Sequence, residues 1–359
     1  VTQNKTKYQI IGLMSGTSLD GLDIADCRFE LVDGSWNYEI LNAETIPYTP
    51  EWHERLAGVE NDTALGYVHT DIGYGHLLGR LTREFIGKYD LKPDFVASHG
   101  HTVFHQPERR ITSQIGHGAA IAAGTGCPVV CDFRTLDVAL GGQGAPLVPI
   151  GDRLLFPGYD YCLNLGGFAN ISAELQGSRI AFDVVPANIV LNSLAQKAGV
   201  SYDHNGDLAR SGKIIPLLLD ELNGLPYYSQ PPPKSLGKEW VVKAIYPLLE
   251  RSRGSLNDQL ATFCEHIAHR IAAVTGQNRV NKLLITGGGA LNGFLVERIG
   301  KHAIPSIVIP DINTINYKEA LIFAFLGLLR WRGENNCLKS VTGAFCDNTG
   351  GAIYHFTRQ

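Results

Sequence analysis

The chain has 359 residues, 44% of them apolar and 18% charged, with a formal net charge of -4. That composition belongs to a folded protein rather than a disordered one, and its length predicts two lobes with a cleft between them, because single cores stop growing near this size. The small net charge and the lack of any Lys/Arg run exclude a nucleic-acid backbone as partner, and no stretch of about 18 uninterrupted apolar residues offers a membrane span. Seven cysteines, an odd number without C-x-x-C spacing, and a polar VTQNKTK start with no apolar signal core point to reduced thiols in the cytoplasm.

In chain order, Tyr8 to Met14 and Leu22 to Phe29 read as strands joined by a turn of Gly, Ser, Thr and Asp. Helical spacing follows from about Ala64 to Tyr89, then "DFVASHG" reads as a strand and "HGAAIAAGTG" as a helix ending at glycine. Near residue 150 the pattern starts again: "YCLNLGGFANISAEL" is a strand, a glycine turn and a strand, and "SRIAFDVV" is a further strand. Leu256, Leu260, Phe263, Ile267, Ile271 and Val274 recur at three- and four-residue steps and predict an amphipathic helix between Ser255 and Gly276. "NKLLITGGGALNGFLVERI" runs from a strand through three glycines into a helix, and "YKEALIFAFLGLLRW" is a helix apolar almost all round, hence buried. Alternating strands and helices make the fold class α/β.

Three glycine turns directly after apolar strands carry the chemical signal. Gly16, Thr17, Ser18, Asp20 and Gly21 form a turn whose N–H and hydroxyl groups suit phosphate oxygens, with a carboxylate able to orient a metal-bound water; an ordinary polar turn is the alternative. Gly166 and Gly167 in "NLGGFAN" and Gly287, Gly288 and Gly289 in "ITGGGALN" are the other two. Neither a G-x-x-x-x-G-K-[ST] loop nor an early G-x-G-x-x-G is present to supply a phosphate site of another kind.

"GLMSGTSLDGLDIA", "SHGHTVFHQP", "CDFRTLDVALGGQGAPLVP", "NLGGFANIS", "PPKSLGKEW", "ITGGGALN" and "VTGAFCDNTGGAIY" together resemble the anhydro-N-acetylmuramic acid kinases, in the same order and over essentially the whole chain. The resemblance implies the two-lobed, ribonuclease H-like fold of actin, hexokinase and the heat-shock ATPases, with ATP in the cleft, Mg²⁺ on its phosphates, and lobes at 1–145 and 146–359. It implies a reaction in peptidoglycan recycling that opens the 1,6-anhydro bridge of an amino sugar with water while the ATP γ-phosphoryl moves to O6, and a cytoplasmic homodimer. The opening turn then becomes the first phosphate loop, with Asp20 touching the metal through water, "NLGGFAN" the second, and "TGGGA" the adenosine-side loop.

Asp183 in "FDVVPAN" matches the family's catalytic base, and its competing reading is a helix N-cap, since a helical run begins a few residues later. Arg134 is assigned by similarity to the substrate pocket, where its planar fork suits a lactyl carboxylate, or it pairs structurally with Asp132 or Asp137. Glu319 on the apolar helix either holds sugar hydroxyls or pairs with Lys318 or Arg330. The resemblance also places His99, Thr102 and Asn188 at the substrate. His99, His101 and His105 in "HGHTVFH" share one face of a strand, which admits a metal reading that the absence of further ligands at useful spacing disfavours. Cys127 and Cys131 read as core thiols rather than a redox pair, and the prolines of "SQPPPKSLGKEW" as a loop brace. Val184, Val185, Asn192 and His101 depart from the usual family pattern and put the shape of the sugar pocket in question. They leave room for two rivals: a kinase of the same superfamily for another sugar or acid, and an ATP-binding regulator without turnover.

Overall fold

A computed structural model describes residues 5–16, 19–276, 281–302 and 306–355. The chain forms two compact units, residues 1–155 with 317–359, and residues 156–316. The expected single boundary at 145/146 is corrected in both directions. Helix Val148–Leu155 belongs to the first unit because Gly151 abuts Ile322 there, and the chain from Tyr317 on returns to that unit, where strand Ala352–Tyr354 extends its sheet.

In the first unit, β1 (Lys7–Ser15), β2 (Leu22–Val32) and β3 (Ser35–Ile46) form an antiparallel meander. Helix α1 (Ala64–Lys88) follows, its first turn capped by Thr63, whose hydroxyl accepts from Gly66 N at 3.0 Å. Its buried face of Tyr74, Leu77, Leu78, Leu81 and Phe85 recurs at helical steps and joins the core beneath β1 and β2. β4 (Phe95–Ser98) runs parallel to β1, and β5 (His101–Gln106) with β6 (Ile111–Ile115) makes a separate hairpin. Helix α2 (Gly118–Thr125) ends at Gly126, whose φ of 70° favours a residue without a Cβ, and β7 (Val129–Cys131) then pairs parallel to β4. The helix Ile312–Arg332 is buried over Ala320–Phe325, as its apolar letters predict, and Gly12 of β1 lies so close that an added Cβ would collide with the Ala320 carbonyl oxygen.

The second unit repeats this plan. β8 (Tyr161–Leu165), β9 (Phe168–Leu175) and β10 (Ser178–Pro186) form a second meander. Helix α3 (Asn188–Lys197) follows, then helix α4 (Leu256–Thr275), opened by a capping box in which Ser255 and Asp258 satisfy each other's backbone N–H groups. β11 (Lys282–Thr286) lies parallel to β8, helix α5 spans Gly293–His302, and β12 (Ser306–Val308) lies parallel to β11. Both sheets therefore share the order 3-2-1-4-5, with the first three strands antiparallel and the next two parallel to the first, and in the first unit Ala352–Tyr354 adds a sixth strand antiparallel to β7. The faint echo in the sequence near residue 150 is a duplicated ribonuclease H-like sheet, and the α/β class holds in each half.

Candidate active site

In the second unit the glycine turns meet at the carboxyl ends of the strands, the usual ligand edge of an α/β sheet. Gly166 and Gly167 lie between β8 and β9, and Gly287 to Gly289 follow β11. Gly287 has a φ of 80°, and a Cβ there would lie 2.9 Å from the Leu165 carbonyl carbon; one on Gly289 would lie 2.7 Å from Leu165 Cβ. Two glycines thus let the β11 turn rest on the β8 turn. The first N–H groups of α3 are already used: Ala187 and Ile189 donate to Gly167 O and Asn188 to Gly166 O. Asn188, expected at the substrate, stands among these turns, its Nδ2 donating to Leu165 O at 3.0 Å. With Asn192, Asn205, Asn292, Gly288 and Gly289 it lines a pocket of about 320 Å³ inside the second unit.

Asp183 lies on β10, where a bulge at Val184 shifts the register against β9. Bulges of this kind re-aim side chains next to sites. Its backbone N–H turns from the sheet to Lys234 O at 3.2 Å, and its carbonyl accepts from Tyr227 OH at 2.6 Å. Oδ2 accepts from Leu236 N at 2.9 Å, whereas among the described residues no donor reaches Oδ1. Burial pushes the carboxyl above its ordinary pKa, against the Leu236 hydrogen bond that pulls it down. The N-cap alternative fails: Ala187 occupies the cap position of α3, and no side chain caps that helix. Tyr227, Lys234 and Leu236 went unread as site residues, although "PPKSLGKEW" is the loop that carries two of them. The lysine ammonium donates to Tyr227 O at 3.1 Å and stands 4.7 Å above that ring, which closes the brace. Val184 and Val185 are buried in the core of this unit.

In the first unit, Thr17 and Ser18 lie outside the described residues. Gly16 accepts from Leu19 N at 3.4 Å, and Asp20 is exposed. Gly21 is buried with its α-carbon against the Ile46 carbonyl, where an added Cβ would lie 2.5 Å from the oxygen, so the close approach of β3 accounts for it. Asp23, the second residue of β2 and not singled out from the sequence, accepts from Thr45 Oγ1 at 2.6 Å, and its pKa is raised first by burial and then by the charge of Asp20. An acid between Leu22 and Ile24 at the mouth of a buried strand was the available signal.

Arg134 donates through Nε and Nη2 to His99 Nε2 at 3.1 and 2.9 Å, and through Nη1 to Gly144 O at 2.6 Å. The His99 Nδ1–H donates to Gly100 O at 2.9 Å, which fixes the tautomer that leaves Nε2 as acceptor. Burial, then the guanidinium, holds His99 well below its ordinary pKa, and burial brings Arg134 down to about 10 against the pull of Glu319 and Cys337. The alternatives for Arg134 fall away. Asp137 is fully buried and accepts from Gly144 N, Thr342 and Asn348, and Asp132 accepts from Thr135. Lys318 pairs with Asp152 at 2.7 Å and its charge also acts on Glu319, while Arg330 donates to Gly351 O. The Glu319 side chain is accessible to solvent, yet the surrounding protein desolvates it and raises its pKa against the attraction of Arg134.

The three histidines of "HGHTVFH" do not share one strand face. His99 precedes β5, and Gly100, at a φ of 74°, turns the chain between them. His101 is buried with Nδ1 3.1 Å from Ser15 Oγ, Thr102 follows it half-buried, and His105 is exposed with Nδ1 3.2 Å from Thr112 Oγ1. Cys127 and Cys131 form no disulfide, and burial pushes the Cys131 thiol up to about 12, which leaves it no nucleophile.

Duplicated ribonuclease H-like sheets with glycine turns at their strand ends mark the actin/hexokinase-like nucleotide-binding class, and the family match places the chain among the ATP-dependent kinases of that class. A family model, anhydro-N-acetylmuramic acid kinase, matches residues 8–356, and the chain belongs to that family. Anhydro-N-acetylmuramic acid kinases from Sulfurovum sp. and Aliivibrio fischeri are each 36% identical to it, covering 98% and 96% of this chain and 99% and 98% of their own. Among solved structures, a ROK family glucokinase from Streptomyces griseus in complex with glucose and AMPPNP aligns over 89% of this chain and 98% of its own. Its TM-score of 0.39 and 14% identity add nothing to what the strand order shows.

Proposed function

We propose that the chain hydrolyses the internal ether of 1,6-anhydro-N-acetylmuramic acid and phosphorylates the freed O6 with ATP, giving N-acetylmuramic acid 6-phosphate for peptidoglycan recycling. Asp183 carries the reading. One oxygen is fixed by Leu236 N–H and the other meets no protein donor among the described residues, so the carboxylate is oriented yet free to take a proton. A water proton passes to Asp183 as the water oxygen bonds to C1; the C1–O6 bond breaks, O6 bonds to the γ-phosphorus, and ADP leaves. Gly16, Thr17, Ser18 and Gly21 of the first unit and Gly166 and Gly167 of the second are the phosphate loops, and Gly287 to Gly289 hold the adenosine. His99, Thr102, Arg134 and Glu319 receive the sugar, with the guanidinium oriented toward the lactyl carboxylate by His99 and Gly144.

The donor set of the first turn fits Mg²⁺: Asp20 offers an exposed carboxylate close enough to Asp23 to raise that group's pKa, and hard oxygen donors suit this ion. Held there through water, it would neutralise charge growing on the phosphates. The seven cysteines, none in a disulfide, support a cytoplasmic setting, and no helix among the described residues is long and apolar enough to cross a membrane. The homodimer rests on the family resemblance.

A screen with ATP and Mg²⁺ tests this reading. Turnover with 1,6-anhydro-N-acetylmuramic acid is expected to exceed that with N-acetylmuramic acid or N-acetylglucosamine. A preference for either sugar without the bridge would favour the rival, a kinase without the ring-opening step.

A further inference from the structure

Far along the second unit from Asp183 in sequence, helices α4 and α5 bring together a group of side chains that the reaction does not use. Glu265 and His269 are one turn apart on α4, and His302 ends α5. Glu265 is only 4% exposed, but its Oε1 lies 2.6 Å from His302 Nε2 and 3.5 Å from His269 Nε2. The two imidazoles meet edge to face with centroids 4.4 Å apart, and the three donor atoms all lie within 4.8 Å of one another. Among the described residues, this is the group of three His, Cys, Asp or Glu side chains so arranged.

We propose that Glu265, His269 and His302 form a binding site for a borderline divalent ion, Zn²⁺, with a fourth position left to water. Two imidazoles and one carboxylate oxygen are a three-ligand zinc set, and tetrahedral bonds of about 2.0–2.2 Å need donor atoms roughly as close as these. A single carboxylate oxygen and two nitrogens disfavour Mg²⁺ and Ca²⁺, which demand oxygen-rich shells.

The surroundings support each ligand. Arg298 occupies Oε2 of Glu265 and so leaves Oε1 pointing between the rings. Asn223 Nδ2 donates to His269 Nδ1 at 3.2 Å while its Oδ1 accepts from His266 Nδ1 at 2.8 Å, and His266 Nε2 accepts from Tyr228 OH at 2.9 Å. Rotating the Asn223 amide by half a turn reverses this chain. Its oxygen then accepts from His269 Nδ1–H, and His269 Nε2 carries a bare lone pair aimed at Glu265. Both imidazoles keep about a third of their surface, 32% and 31%, which gives an ion its entry path. The ion would clamp the end of α5, a helix that begins beside the Gly288–Asn292 wall of the pocket.

The test uses the full chain without a histidine tag, stripped with chelator and titrated with Co²⁺, whose visible absorption reports a four- or five-coordinate nitrogen-oxygen site, followed by Zn²⁺ competition. The wild type is expected to take up one equivalent of Co²⁺ with a visible spectrum, to release it to Zn²⁺, and to melt higher with Zn²⁺ than with chelator. His302→Ala and His269→Ala should each weaken binding by at least about tenfold and lose the Zn²⁺-dependent melting shift, and Asn223→Leu should weaken it with all three ligands intact. Glu265→Gln strands Arg298, so the two histidine variants carry the result. A wild type without a Co²⁺ spectrum would leave only an ion-pair cluster and overturn the proposal. So would a spectrum that survives in both histidine variants, which retain every cysteine.

Discussion

Asp183→Asn separates the role of this side chain in chemistry from its role in structure. The amide keeps an oxygen that can accept the 2.9 Å hydrogen bond from Leu236 N, and the Tyr227 and Lys234 contacts reach only the backbone of residue 183. Exchanging a charged acceptor for a neutral one costs about 1 kcal/mol, and relief of the desolvation that raises the Asp183 pKa offsets part of it. Stability should therefore move little, whereas removing the base should lower kcat by about 10²–10⁴-fold, or roughly 3–5 kcal/mol of transition-state stabilisation. The assay pairs ADP release in the presence of the anhydro sugar with calorimetric ATP binding and a melting curve. Unchanged ATP affinity and a near-normal melting temperature, with turnover lost, is the expected pattern. Turnover within about threefold of the wild type would remove Asp183 from the chemistry, since general-base catalysis is worth far more.

The same carboxyl sets the pH dependence. As a base it must be ionised, and its pKa is raised, so kcat should fall with decreasing pH through a value above the ordinary carboxylate pKa of about 3.9. Because a raised pKa in an acid means that the folded protein disfavours its charge, Asp183→Asn should gain stability relative to the wild type as pH rises from 4 to 7, a trend that paired melting curves can read. Arg134→Lys keeps a charge but cannot reproduce two bonds to His99 and one to Gly144 O; sugar KM should rise about tenfold or more with ATP KM unchanged, and an unchanged sugar KM would make Arg134 structural. Tyr227→Phe removes the donor to the Asp183 carbonyl and should cost about 1 kcal/mol of stability together with a fall in kcat, measured by denaturant melts and steady-state rates. Gly12→Ala drives a methyl into the Ala320 carbonyl and should cost about 3 kcal/mol or abolish soluble expression.

The elements that periodicity controls were legible in the letters. The α4 stripe from Leu256 to Val274 and the apolar helix through Phe323 follow from side-chain spacing, and the end of α2 follows from Gly126. The doubled sheet was only hinted at, because strand order depends on pairing between distant segments that no local pattern encodes. The return of Tyr354 to pair with Val129 escaped for the same reason, and with it the true division of the chain. Within the site, Asp183 and the glycine turns came from motifs. Asp23, Tyr227 and the Leu236 N–H did not, since a lone acid at a strand mouth, a tyrosine and a backbone amide acquire meaning only through partners far away in sequence. Val184 and Val185 raised a question about the sugar pocket because they depart from the family pattern, and the bulge beside Asp183 leaves both buried in the core.

The central claim is that one turnover couples attack of water at C1 to transfer of phosphate to O6. Reaction of 1,6-anhydro-N-acetylmuramic acid with ATP in ¹⁸O-water, quenched early and read by mass spectrometry against unlabelled product incubated for the same time, tests it directly. The account requires the heavy oxygen on C1 and none in the phosphate ester. Phosphorylated sugar with its bridge intact, or label in the transferred phosphate, would contradict it.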